Sequence, residues 1–209
     1  MNLSNAFAIA AISILSTTSA MAETATFAGG CFWCVEADME SVEDVGDAIS
    51  GFTGGTTRPP AYGQSGDHIE AVAFPFDESV VSYRDLVDLF LRSIDPFDAG
   101  GQFCDRGHEY TSAIFVNDAG QDRIAREAIQ SAQADLGREI VTPIMPTSEF
   151  FAVGAYHQDY YKSDDRLAFS SVGIGVKKSD ADKRYRKGCG RDERVRSIWG
   201  DAAAFVKTR

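Results

Sequence analysis

Cys31 and Cys34 stand in the string Gly29-Gly30-Cys31-Phe32-Trp33-Cys34-Val35-Glu36, where the sequence concentrates its chemistry. Two glycines join a strand-like stretch, residues 25–29, to a helical pattern that runs from Cys31 to Glu40 with Phe32, Val35 and Met39 apolar. A cysteine on the first turn of a helix meets unpaired backbone N–H groups and the positive end of the helix dipole. Both stabilise a thiolate, the nucleophilic form of the side chain. Phe32 and Trp33 beside it would wall an apolar slot next to the sulfur. The Cys-x-x-Cys spacing alone also suits a thiol–disulfide redox pair or half of a zinc site. Aromatic residues inside the knuckle and the lack of a second Cys-x-x-Cys pair make a metal unexpected, and no other cofactor is called for.

Four cysteines occur in all, Cys31, Cys34, Cys104 and Cys189, so two structural disulfides are an alternative to a redox role. The three histidines, His68, His108 and His157, are expected to be structural or to support neighbours rather than to act as bases. The Gly-rich stretches lack the Gly-x-x-x-x-Gly-Lys pattern, so nothing points to a nucleotide.

Positioning these groups falls to alternating short elements. Strands are predicted at 45–52, 69–76, 112–116 and 140–145, after the first at 25–29. Ser82 and Asp85 form a capping box that opens a helix through Leu91, and Asp118 caps a long amphipathic helix ending near Gly137. Short helices are expected at 154–162 and 194–205. Residues 56–67 and 95–109 read as polar, Gly-rich loops. This order predicts an α+β fold: a two-layer α/β sandwich with a mixed, mainly antiparallel sheet and a split-βαβ, ferredoxin-like core. The basic run Lys183-Arg184-Tyr185-Arg186-Lys187 reads as a solvated surface segment.

The full string Gly-Cys-Phe-Trp-Cys resembles the nucleophile motif of the peptide methionine sulfoxide reductase A family. Further motifs resemble that family in the same order. They are the Gly54-Gly55 turn, Pro60-Ala61-Tyr62, His68-Ile69-Glu70-Ala71-Val72, Gly101-Gln102-Phe103-Cys104-Asp105-Arg106-Gly107 with Tyr110, and Tyr156-His157-Gln158-x-Tyr160. The resemblance covers roughly residues 25–161, and Gly188-Cys189-Gly190 looks familiar again.

That resemblance implies a reductase for the S epimer of methionine sulfoxide, free or in proteins. Cys31 would attack the sulfoxide sulfur and Glu70 would protonate the departing oxygen. Tyr62 and Tyr110 would hydrogen-bond that oxygen, Asp105 would position one of these groups or a water, and Phe32 and Trp33 would hold the methyl thioether. Cys31 would be left as a sulfenic acid, resolved by Cys189 or, second, by Cys34. Cys104 remains open as a third choice. A thioredoxin-like dithiol would reset the enzyme. The alternative is a thiol–disulfide oxidoreductase that uses the Cys31–Cys34 pair and has no need of Glu70.

The net charge of −11 argues against nucleic acid as a partner, because phosphate binding needs a basic face. A composition of 44% hydrophobic and 24% charged residues is ordinarily globular. Residues 6–15 are apolar and are followed by Ala20-Met21-Ala22, which reads as a signal peptide over 1–22. The run is shorter than the roughly 20 residues that span a bilayer. One catalytic domain over 23–209 is expected, with a Cys-bearing C-terminal segment from about 163. It would act in the periplasm or outside the cell, unattached to a membrane and as a monomer.

Overall fold

The computed structural model describes residues 22–206 apart from Arg58 and Ser171, so the expected signal peptide lies outside the described residues. β1 (Glu23–Gly29) leads into α1 (Phe32–Met39), followed by β2 (Ile49–Thr53), β3 (Ile69–Phe76) and α2 (Tyr83–Leu91). A two-residue ribbon, β4 (Gly101–Gln102) and β5 (Asp105–Arg106), precedes β6 (Ser112–Val116), α3 (Ala119–Leu136), β7 (Ile144–Pro146) and β8 (Phe151–Ala152). The chain ends with α4 (Lys178–Gly188) and α5 (Arg191–Trp199).

Six strands form one sheet in the order β7-β6-β1-β3-β2-β8. Only the β6–β7 pair is parallel. The sheet is thus mixed and mainly antiparallel, and with its helices the fold is α+β.

Period-two alternation sorts the strand side chains between two faces. Phe27, Val72, Phe74, Phe76 and Ile114 join Phe32 and Val35 of α1, Leu86, Val87 and Phe90 of α2, and Ala125 and Ala128 of α3 in the main core. Ala28, Ile69, Ala71, Ala113 and Phe115 occupy the opposite face under Met145 and Phe150. Phe27 stacks on Phe90 with ring centroids 4.7 Å apart. Each such fully buried side chain contributes roughly 1.5–3 kcal/mol. Glu70 falls in the Val72 and Phe74 register, so the same alternation that builds the core aims its carboxyl at the helix layer.

The caps act as their residue types require. The Ser82 hydroxyl accepts from the Asp85 amide, the Asp85 carboxylate accepts in return, and Asp118 accepts from Gly120 and Gln121. Gly137 ends α3 in the left-handed region.

Several elements depart from the sequence reading. β2 begins at Ile49, and Val45 makes only an isolated bridge to Phe76; Gly46 and Asp47 between them are weak strand formers. β7 is confined to Ile144–Pro146 because Pro143 has no N–H to offer a ladder. The helix expected over 154–162 is a turn followed by a single 3-10 turn, Tyr160–Lys162, entered through Asp159 at φ 54°. α5 starts at Arg191, and Gly200 stops it. The basic run is not a solvated surface strand of chain. It lies inside α4, where helical spacing exposes Lys183, Arg184 and Lys187 but buries Asp182 and Arg186. Among the described residues no helix is long and apolar enough to cross a membrane.

Candidate active site

The Gly29-Gly30 link sets the nucleophile's position. Gly30 has φ +82°, and a Cβ there would sit 2.6 Å from Cβ of Gln102, so only glycine lets the β4–β5 ribbon come this close. Gln102 is fully buried and exchanges two hydrogen bonds of 2.9 Å with the backbone of Asp95, which anchors the ribbon. Gly101, at φ +136°, lies against the Asp105 carbonyl, where a Cβ would stand 2.2 Å from the oxygen. This tight ribbon presents Cys104 outward and turns Asp105 inward.

Cys31 caps α1, and its carbonyl accepts from the amides of Cys34 and Val35. The amide of Phe32, the next residue, donates to Glu70 Oε2 at 3.0 Å. The first free N–H of the helix is therefore committed to the carboxyl of β3 rather than to the Cys31 sulfur. This revises the electrostatics expected from the helix end. A hydrogen bond with Cys34, burial, and the negative fields of Cys34, Glu70 and Asp105 hold the Cys31 thiol well above its ordinary value. Cys34 moves the other way. Its hydrogen bond with Cys31 lowers it despite burial, helped by Arg191 and Arg186. Both thiols are buried and free.

Glu70 is 3% exposed, and burial pushes its carboxyl up to about 8 against the pull of the Phe32 amide. It thus carries a proton at neutral pH. Burial likewise pushes the Tyr62 hydroxyl up to about 12 and raises Tyr110, each reinforced by Glu70, so both remain donors. Burial also raises Asp105, although the Tyr185 hydroxyl donates to it.

A cavity of about 220 Å³ gathers these groups. Cys31, Phe32, Trp33, Tyr62, Glu70, Asp105 and Tyr110 all line it, so the structure brings together seven of the nine residues picked from the sequence. The other two are thiols outside the lining. Cys34 lies against Cys31, and Cys189 is joined to Cys104 in a disulfide with Cα atoms 5.0 Å apart. None of the histidines lines the cavity. His68 Nδ1 accepts from the Gly55 amide, and His108 Nε2 lies 3.0 Å from the Asp67 carbonyl. The His157 ring stacks on Tyr62.

The sequence reading missed the roof. Tyr160, Ser170, Val172, Ala181, Asp182 and Tyr185 complete the lining. Tyr160 stacks on Trp33 at 4.0 Å and 11°. The segment carrying it is pinned to β2 by Gln158, whose amide group exchanges two bonds of 2.9 Å with the Ser50 backbone, and to α1 by Glu36, which accepts from the Asp159 amide. The Gln158-x-Tyr160 spacing carried that signal. Tyr185 was hidden because its four immediate neighbours are all Lys or Arg.

The site therefore offers a buried thiol pair, a protonated carboxylic acid on the amide next to the nucleophile, two hydroxyl donors and an aromatic wall. That set suits thiol attack on a polar group whose oxygen must be protonated as it leaves. Comparison with known proteins agrees. The sequence profile of "Peptide methionine sulfoxide reductase" matches residues 23–188. Two curated relatives are named peptide methionine sulfoxide reductase MsrA 2. The one from Rhizobium meliloti (strain 1021) is 39% identical over 199 residues, 94% of this chain and 93% of its own length. The one from Caulobacter vibrioides is 37% identical over 200 residues, 91% and 95%. Among solved structures, methionine sulfoxide reductase A of Corynebacterium diphtheriae matches with TM-score 0.63 and 26% identity, covering 74% of this chain and 82% of that one. Reduced Mxr1 from Saccharomyces cerevisiae matches with TM-score 0.61 and 27% identity, covering 66% and 83%. Curated matches that run over nine-tenths of both chains, over a site whose parts suit one reaction, leave one assignment: this chain belongs to the peptide methionine sulfoxide reductase family.

Proposed function

We propose that Cys31 reduces the S epimer of methionine sulfoxide, in proteins or free, with Glu70 as the proton donor. The observation that carries this reading is the buried Glu70 carboxyl, protonated at neutral pH and held on the first amide of the Cys31 helix. The Cys31 sulfur forms a bond to the sulfoxide sulfur while Glu70, Tyr62 and Tyr110 take up the charge developing on oxygen. Asp105, held by Tyr185, orients this polar side of the cavity. Phe32 and Trp33 pack the methyl end of the substrate. The protonated oxygen then passes from the substrate sulfur to Cys31 as the sulfur–sulfur bond opens, so Cys31 is left as a sulfenic acid and methionine departs as the thioether.

A second thiol then condenses with the sulfenic acid, expelling water and forming a disulfide. Cys34 is already against Cys31, so it takes this step first. Cys189 is bridged to Cys104 and enters only after that bond is reduced. Cys104 is exposed, which gives an external thioredoxin-like dithiol a point of attack.

Three broader readings accompany this one. The sheet order β6-β1-β3-β2, with β1 and β3 as inner strands, is what a split βαβ unit produces, and we read the core as ferredoxin-like. The apolar run and Ala20-Met21-Ala22 support export to a periplasm or beyond. We read the chain as acting as a monomer.

Single-turnover reaction of the reduced protein with separate S and R epimers of a blocked methionine sulfoxide tests the chemistry. About one equivalent or more of thioether from the S epimer alone, abolished in Cys31→Ser, is expected. Undiminished turnover in Glu70→Gln would remove the proton-donor role.

A further inference from the structure

We propose that the hairpin formed by residues 166–170 and 172–177 is a recognition element for the polypeptide that flanks the oxidised methionine, and that it selects apolar segments. The hairpin is closed by bridges between Arg166 and Lys177 and between Ser170 and Gly173. Leu167 anchors it in a small cluster with Tyr160 and Ala181, against which Trp33, Val172 and Val176 pack. Ser170 and Val172 point into the cavity. One residue before Ser170 stands Phe169, 81% exposed, and two residues after Val172 stands Ile174, 76% exposed. They are the two most exposed large apolar side chains among the described residues. Aromatic rings stand nearby, of which Tyr62 lines the cavity. Tyr62 and Tyr156 are about half exposed and both contact the His157 ring.

Neither Phe169 nor Ile174 helps to hold the hairpin, whose anchors are Leu167, Val172 and Val176. Large apolar side chains left in water on a hairpin that helps to line a cavity mark a binding surface. The occupant follows from continuity with the cavity. A methionine sulfoxide side chain that reaches Cys31 leaves its own backbone at the rim, so the residues on either side must cross the hairpin and the tyrosines. Methionine is usually a core residue, and its oxidation puts a polar group among apolar neighbours and loosens that core. The segment that then becomes accessible carries apolar side chains around the sulfoxide, the chemistry that Phe169 and Ile174 match.

This inference rests on the sulfoxide reductase reading, and one assay separates the two. The mature protein, kept reduced with dithiothreitol, is given the S epimer of N-acetyl-methionine sulfoxide and two peptides. The peptides carry the same sulfoxide flanked by Leu and Val or by Gly and Ser. Wild type should favour the apolar-flanked peptide by about tenfold or more in kcat/KM. The double variant Phe169→Ser/Ile174→Ser should bring that ratio near one while leaving turnover of the N-acetyl substrate unchanged. Phe169→Leu/Ile174→Leu should keep the preference. A ratio near one in wild type, or a ratio that survives the double serine change, overturns the recognition role even if the chemistry is intact. Should the serine variant fail to fold, the wild-type ratio and the single Phe169→Ser variant decide. Absence of thioether from all three substrates would instead remove the reductase reading.

Discussion

Replacing Glu70 by Gln should remove a loss of stability that grows with pH while it cripples the reaction. Between its ordinary 4.5 and the value of about 8 reached by burial, the unfolded chain has lost the Glu70 proton and the folded chain keeps it. The folded state then binds more protons, so stability falls as pH rises through this window, by about 1.4 kcal/mol per pH unit. The cumulative cost to the wild type is about 1 kcal/mol at pH 5 and about 5 kcal/mol at pH 9, where the folded group has also ionised. A Gln side chain does not titrate, and its oxygen can still accept from the Phe32 amide. Whatever constant penalty the amide carries cancels in the difference between the two pH values. The gap in unfolding free energy between variant and wild type should therefore shift by about 4 kcal/mol in favour of the variant from pH 5 to pH 9. Urea unfolding of both proteins at pH 5, 7 and 9, with the Cys104–Cys189 disulfide intact, reads this directly. The same variant should lose about 10²- to 10⁴-fold in kcat/KM, the usual contribution of a general acid. Parallel stability curves for the two proteins would show that Glu70 titrates as an ordinary surface carboxyl, and the reasoning that makes it an acid would fail.

The pH–rate profile follows from the same pair. Reaction needs Cys31 deprotonated and Glu70 protonated, so the active form holds one proton between them. The kcat/KM should rise toward about pH 8, where the pair loses its first proton, and fall at higher pH as the second leaves; in Glu70→Gln the alkaline fall should vanish. Arg186→Met removes the shorter of the two Arg contacts, 2.9 and 3.9 Å, to the buried Asp38, and should lower the unfolding free energy by roughly 3 kcal/mol, read from the urea midpoint. Trp33→Ala takes away the ring that stacks on Tyr160 and should reduce kcat/KM by roughly tenfold to a hundredfold, mainly through KM; an unchanged KM would place the substrate elsewhere.

The legible part of the molecule was the part governed by local rules. The capping box at Ser82, the Asp118 cap and the left-handed stop at Gly137 are single-residue decisions, and each appears as the residue types dictate. β3 carries its own alternation, which puts Glu70 on the helix side with Val72 and Phe74, although it was the family resemblance and not the alternation that singled Glu70 out. Two kinds of information were not local. The charge state of Cys31 depends on where the Phe32 amide is spent, and that is decided by Glu70, which lies 38 positions away. The path of α4 depends on ion pairing rather than on an apolar stripe. Arg186 reads as a surface residue until Asp38, 148 positions away, is known to lie buried beneath it. A helix whose buried face is built from Ala181, Asp182 and Arg186 has little periodic hydrophobic signal to find.

This difference in how the two halves are held has a functional consequence. Cys31 and Glu70 sit on α1 and β3, whose neighbours are fully buried aromatic and aliphatic side chains, so their separation is fixed by close packing. The α4–α5 side of the roof adds to its apolar contacts the Arg186–Asp38 pair, the Arg191 guanidinium donating to the Gly29 carbonyl at 3.2 Å, and the Cys104–Cys189 disulfide. A buried ion pair recovers little beyond its own desolvation cost, so the Arg186–Asp38 pair contributes placement more than stability. These contacts bind the roof to the residues that flank the nucleophile, Gly29 before it and Asp38 on its helix. Tyr185 and Asp105 are thereby registered against Cys31, although they lie on separate segments far apart in sequence. The reacting groups are thus fixed by close packing, and the groups that face them across the cavity by an ion pair, a hydrogen bond and a disulfide.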